Sequence, residues 1–161
     1  MLRGSPTLSL LTRGRGTFLI RAKIMTEQIA LEVAEAEFER FAGSMDINVD
    51  TTKLDQEDLT AFTKIKDRVV RAMQRGSLVI NDNGEAVYTP QRPGSKSKDA
   101  ITFHERTGAS LMAMDGKKKG HDVAKTYAIL ADMCRVHPST FAGLAGPDIK
   151  VCEGLFALLM D

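Results

Sequence analysis

Hydrophobic positions recur with helical spacing in two segments of the first half of the chain. In residues 26–42 apolar side chains fall three or four positions apart, and Gly43 follows the last of them. Residues 56–75 carry a single apolar stripe, which consists of Leu59, Phe62, Ile65, Val69, Ala72 and Met73. Asp55 precedes this stripe as a candidate N-cap, and Gly76 follows it as a stop signal. The pattern predicts two helices joined by a polar linker over residues 46–53.

The periodicity then changes to that of short strands. Two apolar runs at 77–80 and 85–89 flank Asn81-Asp82-Asn83-Gly84, in which Asn-Gly favours the positive φ angles of a tight turn. Residues 90–98 are rich in Pro, Gly, Ser and Lys, which predicts a flexible basic loop. The β-capable run at 100–104 follows. A lone hairpin is marginal in water, so this run is expected to add a third strand.

Short helical segments make up the rest of the chain. We predict helices at 109–114, 121–136 and 139–144, a lysine-rich loop at 116–120, and a last helix opened by Pro147. In the 121–136 helix the residues expected to face inward are Val123, Ala124, Tyr127, Leu130, Ala131 and Cys134. The whole pattern predicts an α+β fold, with a mainly α-helical single domain over residues 25–161 and a small antiparallel β-hairpin or three-stranded sheet.

Residues 1–24 differ in composition from the rest of the chain. They hold five Lys and Arg residues and no acid, a charge of +5, which leaves −4 for residues 25–161. We interpret residues 1–24 as a non-native or disordered extension, with Met25 as the favoured start, and a transit peptide or a genuine arm as alternatives. The acidic body argues against nucleic acid as the main partner. No apolar run approaches the length of a membrane span.

Several residue clusters have spacings that partly match known ligand-binding sites. Residues 46–50 with Glu57 match the acidic spacing of a calcium loop, but Thr51 replaces the glycine of its sharp turn, so a capping linker is predicted. The loop at 116–120 lacks the order of a phosphate loop. Cys134 and His137 lack the second pair of ligands that zinc requires. We therefore predict no catalytic, cofactor or metal site, and hence no enzymatic activity.

The two cysteines, Cys134 and Cys152, lie in apolar helical contexts and are predicted to be reduced and buried. Residues 122–144 have the rhythm of a helix-turn-helix, but the second helix would be short and uncharged. A DNA-binding regulator is therefore kept only as a minor alternative.

The order of elements from 99 to 161 carries a family resemblance. A strand and Thr-Gly turn at 101–108 precede a short segment at 111–115, a longer helix at 122–133 and Leu144-Ala145-Gly146-Pro147-Asp148 before a C-terminal helix. This layout resembles the tail assembly chaperones of long-tailed bacteriophages. Residues 25–98, with a long helix and a hairpin, would be an elaboration of the compact family members.

The resemblance implies a non-enzymatic chaperone in the bacterial host cytoplasm, which needs no cofactor and binds neither nucleic acid nor membrane. Its partners would be the tape-measure protein and tail-tube subunits, and it would act during tail morphogenesis. The alternative is a small structural virion protein for head–tail joining or tail completion. The candidate partner-binding residues are Met112, Met114, Met133, Leu155, Phe156, Leu158, Leu159 and Met160.

The C-terminal helix carries more apolar residues than one packing stripe requires. Five of the six residues from 155 to 160 are large and apolar. A surplus apolar face is costly in water, so we expect it to bind a partner or a second copy of the chain. Leu158 is predicted to lie on that face, and Leu158→Glu is predicted to leave folding cooperative while weakening co-purification with the tape-measure protein.

Overall fold

A computed structural model describes residues 29–112 and 122–160 of the protein. Within these residues it has six helices and one small antiparallel sheet, so the predicted mainly helical α+β fold is confirmed. The helices are α1 (Leu31–Ser44), α2 (Gln56–Gln74), α3 (Gly108–Met112), α4 (Asp122–Met133), α5 (Ser139–Ala142) and α6 (Gly146–Met160). The strands are β1 (Leu78–Ile80), β2 (Ala86–Tyr88) and β3 (Ile101–Phe103). The expectations for the 1–24 extension, Met114 and the loop at 116–120 lie outside the described residues.

Helix α1 begins and ends later than the sequence predicted. Gly43 lies inside the helix rather than stopping it, and the left-handed residue after the helix is Asp46, with φ 53°. Asp tolerates this region better than most residues because its short side chain can hydrogen-bond locally. The N–H of Ile47 donates to the Ala42 carbonyl at 2.9 Å, which closes the helix end.

Helix α2 has the N-terminus that its sequence predicts. The Asp55 carboxylate accepts hydrogen bonds from the N–H groups of Glu57 and Asp58, both at 2.9 Å. Gly76 follows the helix with φ 66°. The C-terminal half of α2 is the buried half, and the helix packs against both α1 and α6.

The sheet has the order β1-β2-β3, with both pairs antiparallel. Leu78 pairs with Tyr88, and Tyr88 pairs with Ile101, so one face of the sheet is continuous across the three strands. On that face Leu78, Ala86, Tyr88, Ile101 and Phe103 are buried. The run at 100–104 therefore supplies the third strand, as expected, and the strand itself is β3, Ile101–Phe103.

The hairpin turn differs from the predicted Asn-Gly turn. Only Gly84 has a positive φ, of 80°, whereas Asn83 does not. The Asn81 side chain organises the loop instead, because its Oδ1 accepts from the N–H groups of Asn83 (3.0 Å) and Glu85 (2.9 Å). Ser44 at the end of α1 donates to the Gly84 carbonyl at 2.8 Å, which docks the hairpin onto that helix.

The C-terminal elements cover the remaining side of the core. Thr107 and Ser110 cap α3 reciprocally, each backbone N–H donating to the other residue's hydroxyl. In α4 the predicted inward orientation is confirmed for Leu130 and Ala131 but is wrong for Val123, which is 66% exposed. Val123 lies in the first turn of α4, whereas the buried residues of this helix begin at Ala128. Ala124, in the same turn, is also exposed.

Candidate functional site

An open groove of about 830 Å³ lies between α2, the β2–β3 loop and the start of α6. Six of its lining residues are cationic, and these are Lys64, Arg68, Arg71, Arg75, Arg92 and Lys150. Its two acidic lining residues are Asp67 and Asp148. We refer to the cavity formed by these eight residues and their neighbours as the basic groove.

Helix α2 and its C-cap residue, Arg75, contribute four of the six cations as one stripe. Lys64, Arg68, Arg71 and Arg75 are four, three and four residues apart, which places them on one face of the helix. At 1.5 Å per residue the stripe spans about 16 Å. Arg68 is partly buried and donates to the Lys150 carbonyl at 3.2 Å, while the other three are exposed. The stripe therefore presents a line of positive charge along one wall of the groove.

Asp148 lies at the base of this groove, only 2% exposed, and four donors converge on its carboxylate. Oδ1 accepts from the Tyr88 hydroxyl at 2.8 Å and from the Gln91 N–H at 3.4 Å. Oδ2 accepts from the Ser95 hydroxyl at 2.6 Å and from the Arg92 N–H at 3.0 Å. One side chain of α6 therefore binds the end of β2 and the loop that follows it.

The hydrogen bonds keep this buried carboxylate ionised. Burial alone raises the pKa of Asp148, but the bonds from Ser95, the Arg92 N–H, Tyr88 and the Gln91 N–H outweigh it, and the net pKa is lowered. Burial, and then the hydrogen bond to Asp148, raise the pKa of Tyr88, so its hydroxyl stays a donor. Because both carboxylate oxygens are occupied, Asp148 acts as a structural clamp in this arrangement rather than as a general base.

The loop at 90–98, predicted to be flexible, is attached to the C-terminal elements at several points. The Ser95 hydroxyl, while donating to Asp148, accepts from the Ala145 N–H at 2.8 Å. The Lys96 N–H donates to the Gly143 carbonyl at 2.9 Å, and within the loop itself the Lys98 ammonium donates to the Arg92 carbonyl. Composition indicated a free loop, whereas long-range hydrogen bonds hold it.

The sequence did not predict that Asp148, Tyr88 and Ser95 form one hydrogen-bonded cluster. A weak local signal was present, since an acid directly after Gly146-Pro147 belongs in the first turn of a helix. The sequence separation between Asp148 and Ser95 is more than fifty residues, and no local pattern identifies such a contact.

Both cysteines are free and buried, as predicted. Burial raises the pKa of Cys134 to about 12, and burial is also the main cause of the raised pKa of Cys152. Thiolates are the reactive form of cysteine, so neither residue is activated as a nucleophile.

The residues that match the spacing of a calcium loop form hydrogen bonds within their own segment. Asn48 Oδ1 accepts from the Asp50 N–H at 3.0 Å, and Asp50 Oδ1 accepts from the N–H and hydroxyl of Thr52. The hydrogen bonds from Thr52 lower the pKa of Asp50. With Asp55 capping α2, this segment has the contacts of a capping linker. Over 29–112 and 122–160, no three His, Cys, Asp or Glu side chains come together as a metal site.

The structure separates the predicted partner-binding residues into two groups. Met133, Leu155 and Leu158 are core residues, 2%, 0% and 4% exposed, so the expected exposure of Leu158 is wrong. The reason is that most sides of α6 are buried or half-buried, although one stripe of the helix stays exposed. It packs on α2, where Gly154 faces Ile65 and Val69, and its Asp148 side is held by the β2–β3 loop. A helix that is apolar on most sides is typical of such a central position.

The second group of predicted residues is more accessible. Met112 is 68% exposed, and Phe156, Leu159 and Met160 are half-buried. Arg106, just before α3, donates to the Met160 carbonyl at 3.3 Å and contacts its sulfur at 3.8 Å. The start of α3 is thereby connected to the end of α6, while Met114 lies outside the described residues.

Two further observations concern DNA and membranes as partners. Helix α5, the second helix of the helix-turn-helix alternative, has only four residues, Ser139–Ala142. In the described part of the chain no helix combines the length and apolarity needed to cross a membrane.

Comparisons of the chain with protein-family models, with curated proteins and with solved structures found no match.

Proposed function

We propose that the protein is a non-enzymatic tail assembly chaperone of a long-tailed bacteriophage, acting in the host cytoplasm. The observation that supports this proposal is the order of elements from 101 to 160. Strand β3, the capped Thr107-Gly108 turn, helix α3, helix α4 and, after the short helix α5, helix α6 come in the order of the family layout. The expected clients are the tape-measure protein and tail-tube subunits.

The accessible apolar residues give this proposal a physical basis. Met112 protrudes from α3, and half-buried Phe156, Leu159 and Met160 lie at the end of α6, which Arg106 connects to the start of α3. Methionine and leucine side chains adapt to apolar helices without a strict demand on shape. A client helix would bury part of this surface, which is costly to leave in water.

Co-purification with the tape-measure protein tests the proposal. Met112→Glu should leave the thermal unfolding of the chaperone unchanged, because the side chain is 68% exposed, and should reduce recovery of the co-expressed client. Val79→Glu is the matched control, since Val79 is 50% exposed but lies on β1. If wild-type protein recovers no tape-measure protein, the proposed function is wrong.

Mass spectrometry of purified virions separates the proposal from the structural alternative. A chaperone should be absent from finished particles, whereas a head–tail joining or tail-completion protein should be present in them at fixed copy number. Detection at a constant ratio to the tail-tube protein would contradict the chaperone and favour the structural virion protein.

A further inference from the structure

We propose that the basic groove binds an acidic segment of a partner protein. The proposal goes beyond the tail-assembly function, because it depends on the charge and shape of the groove and not on the identity of the client. It assigns a site at the N-terminal end of α6, whereas the accessible apolar residues lie at its C-terminal end.

Among residues 29–112 and 122–160, no ion pair balances the positive charge of the groove. Six cations and two acids line it, and one of the acids, Asp148, is already bound by four donors from β2 and the following loop. The ion pairs among the described residues are Arg40–Glu37, His104–Glu85 and Lys125–Asp122, so none of them involves a groove cation. The groove cations repel one another when no anion is bound, and an anionic ligand relieves that repulsion.

The arrangement of the cations fits an extended anion better than a single phosphate. Lys64 and Arg75 are the ends of a stripe about 16 Å long on α2 and its C-cap. Arg92 and Lys150 come from the two elements on the other wall. A lone phosphate would contact only part of this line, whereas carboxylates spaced along a peptide can pair with all of it.

Nucleic acid fits the groove less well than a peptide. The aromatic residue that lines it is Tyr88, which is 2% exposed and hydrogen-bonded to Asp148, so it offers no face for base stacking. The exposed acids Asp55, Glu57 and Asp58 begin the same helix, and they would repel a polyanion that continued past the stripe.

A distinct partner is favoured over a second copy of the chain. The protein has its own acidic surface on α1, with Glu32, Glu35 and Glu39 exposed. Insertion of that surface into the groove of another copy would join two different patches head to tail. Such contacts produce open polymers unless the rotation closes, which would be a liability for a discrete assembly factor.

The experiment measures binding of a defined acidic peptide to the full-length chain by fluorescence anisotropy. The probe is a labelled helix-forming peptide of about 14 residues, long enough to span the stripe, with Glu at every third or fourth position and Ala elsewhere. The control peptide has Gln in place of every Glu. We expect saturable binding of the Glu peptide only. Its dissociation constant should rise at least about tenfold in about 0.5 M salt.

Charge reversal locates the site. Arg71→Glu and, separately, Arg75→Glu should each weaken peptide binding about tenfold, because both side chains are exposed on the stripe. Lys53→Glu makes the same change in net charge in the exposed linker and should alter binding less than about twofold. Circular dichroism of each variant checks that the fold is retained.

Four outcomes would overturn the proposal. They are no binding of the Glu peptide by wild-type protein, equal binding of the Gln peptide, and equal loss of binding in Lys53→Glu and Arg71→Glu. The fourth is tighter binding of a single-stranded oligonucleotide than of the peptide. Concentration-dependent polymers that Arg71→Glu abolishes would instead identify a second copy as the occupant. None of these readouts uses the tape-measure protein, so they are independent of the test of the proposed function.

Discussion

At the scale of single residues, Asp148 makes the most connections between distant parts of the chain. Its carboxylate joins α6 to Tyr88 of the sheet and to Ser95 of the β2–β3 loop. A buried charge is costly when it is unpaired, and here four hydrogen bonds offset that cost. The same side chain forms the base of the basic groove, so the stability of the fold and the shape of the groove depend on one residue.

Replacement of Asp148 by Asn should destabilise the protein by about 1–3 kcal/mol. The amide NH2 group would face donors where the carboxylate accepts, which leaves at least one of those donors without an acceptor. The measurement is the free energy of unfolding in urea. Asp67→Asn is the matched control in the same groove, because Asp67 is exposed and should change stability little. Equal stability of Asp148→Asn and wild type would contradict the clamp.

The lowered pKa of Asp148 also predicts a pH dependence. A carboxyl group whose pKa is lower in the folded than in the unfolded state stabilises the fold above its unfolded value, which is about 3.8. That stabilisation is lost as pH falls through the lower folded value. Wild type and Asp148→Asn should therefore converge in melting temperature as the pH falls below about 3.8.

The convergence must be measured as a difference between the two proteins. Hydrogen bonds from Asn81 and His104 lower the pKa of Glu85 as well, so acid weakens both proteins through that group. Melting curves from pH 7 down to pH 2 provide the data. A difference that stays constant over this range would show that the Asp148 pKa is not lowered in the folded state.

At the scale of elements, the junction between the hairpin and α1 depends on a glycine. Gly84 has a φ of 80°, and a Cβ added to it would lie 2.5 Å from Cβ and Oγ of Ser44. Gly84→Ala should therefore destabilise the protein by about 1–3 kcal/mol. Gly43→Ala is the control, since it lies in α1 with open space around it and should stabilise by up to about 1 kcal/mol. Urea unfolding of both variants measures this, and similar effects of the two would contradict the close approach.

In the C-terminal helix, a position that the sequence predicted to be exposed is buried instead. Leu158 is 4% exposed, so Leu158→Glu should bury an unpaired carboxylate and cost at least about 3 kcal/mol. Ala157→Glu, one position away on the exposed side, should cost less than about 1 kcal/mol. Circular dichroism during thermal unfolding compares the two. A cooperative, fully stable Leu158→Glu variant would restore the idea of a second apolar face.

Local signals predicted most of the elements, and distance in sequence explains what they missed. The cap at Asp55, the left-handed Gly76 and the alternation in the strands are properties of a few neighbouring residues. The attachment of the 90–98 loop is not, because Ser95 reaches Asp148 and Ala145 across fifty or more residues. The basic groove was missed for the same reason. Its α2 cations are visible as a helical stripe, but the sequence does not show that Arg92 and Lys150 lie opposite them.

At the scale of the whole molecule, the two halves of the chain share one core. Phe38, Val69 and Leu78 from the first half belong to the same buried cluster as Phe103 and Leu155 from the second. Helix α2 packs on α6, and β2 pairs with β3. Residues 29–98 are therefore part of the packing that α6 requires, even though the family resemblance treats this part of the chain as an elaboration.

This shared core predicts that neither half folds alone. A cut between Lys98 and Asp99, both exposed, would separate β2 from β3, α2 from α6, and Asp148 from all four of its donors. Fragments 1–98 and 99–161 should each show little cooperative unfolding by circular dichroism, because each would expose half of the core to water. Mixed at equal concentration, they should gain helical signal over the sum of the separate spectra and recover a single transition. If fragment 99–161 instead unfolds cooperatively by itself, the chaperone-like part is an independent unit, and residues 25–98 are an addition to it rather than half of its core.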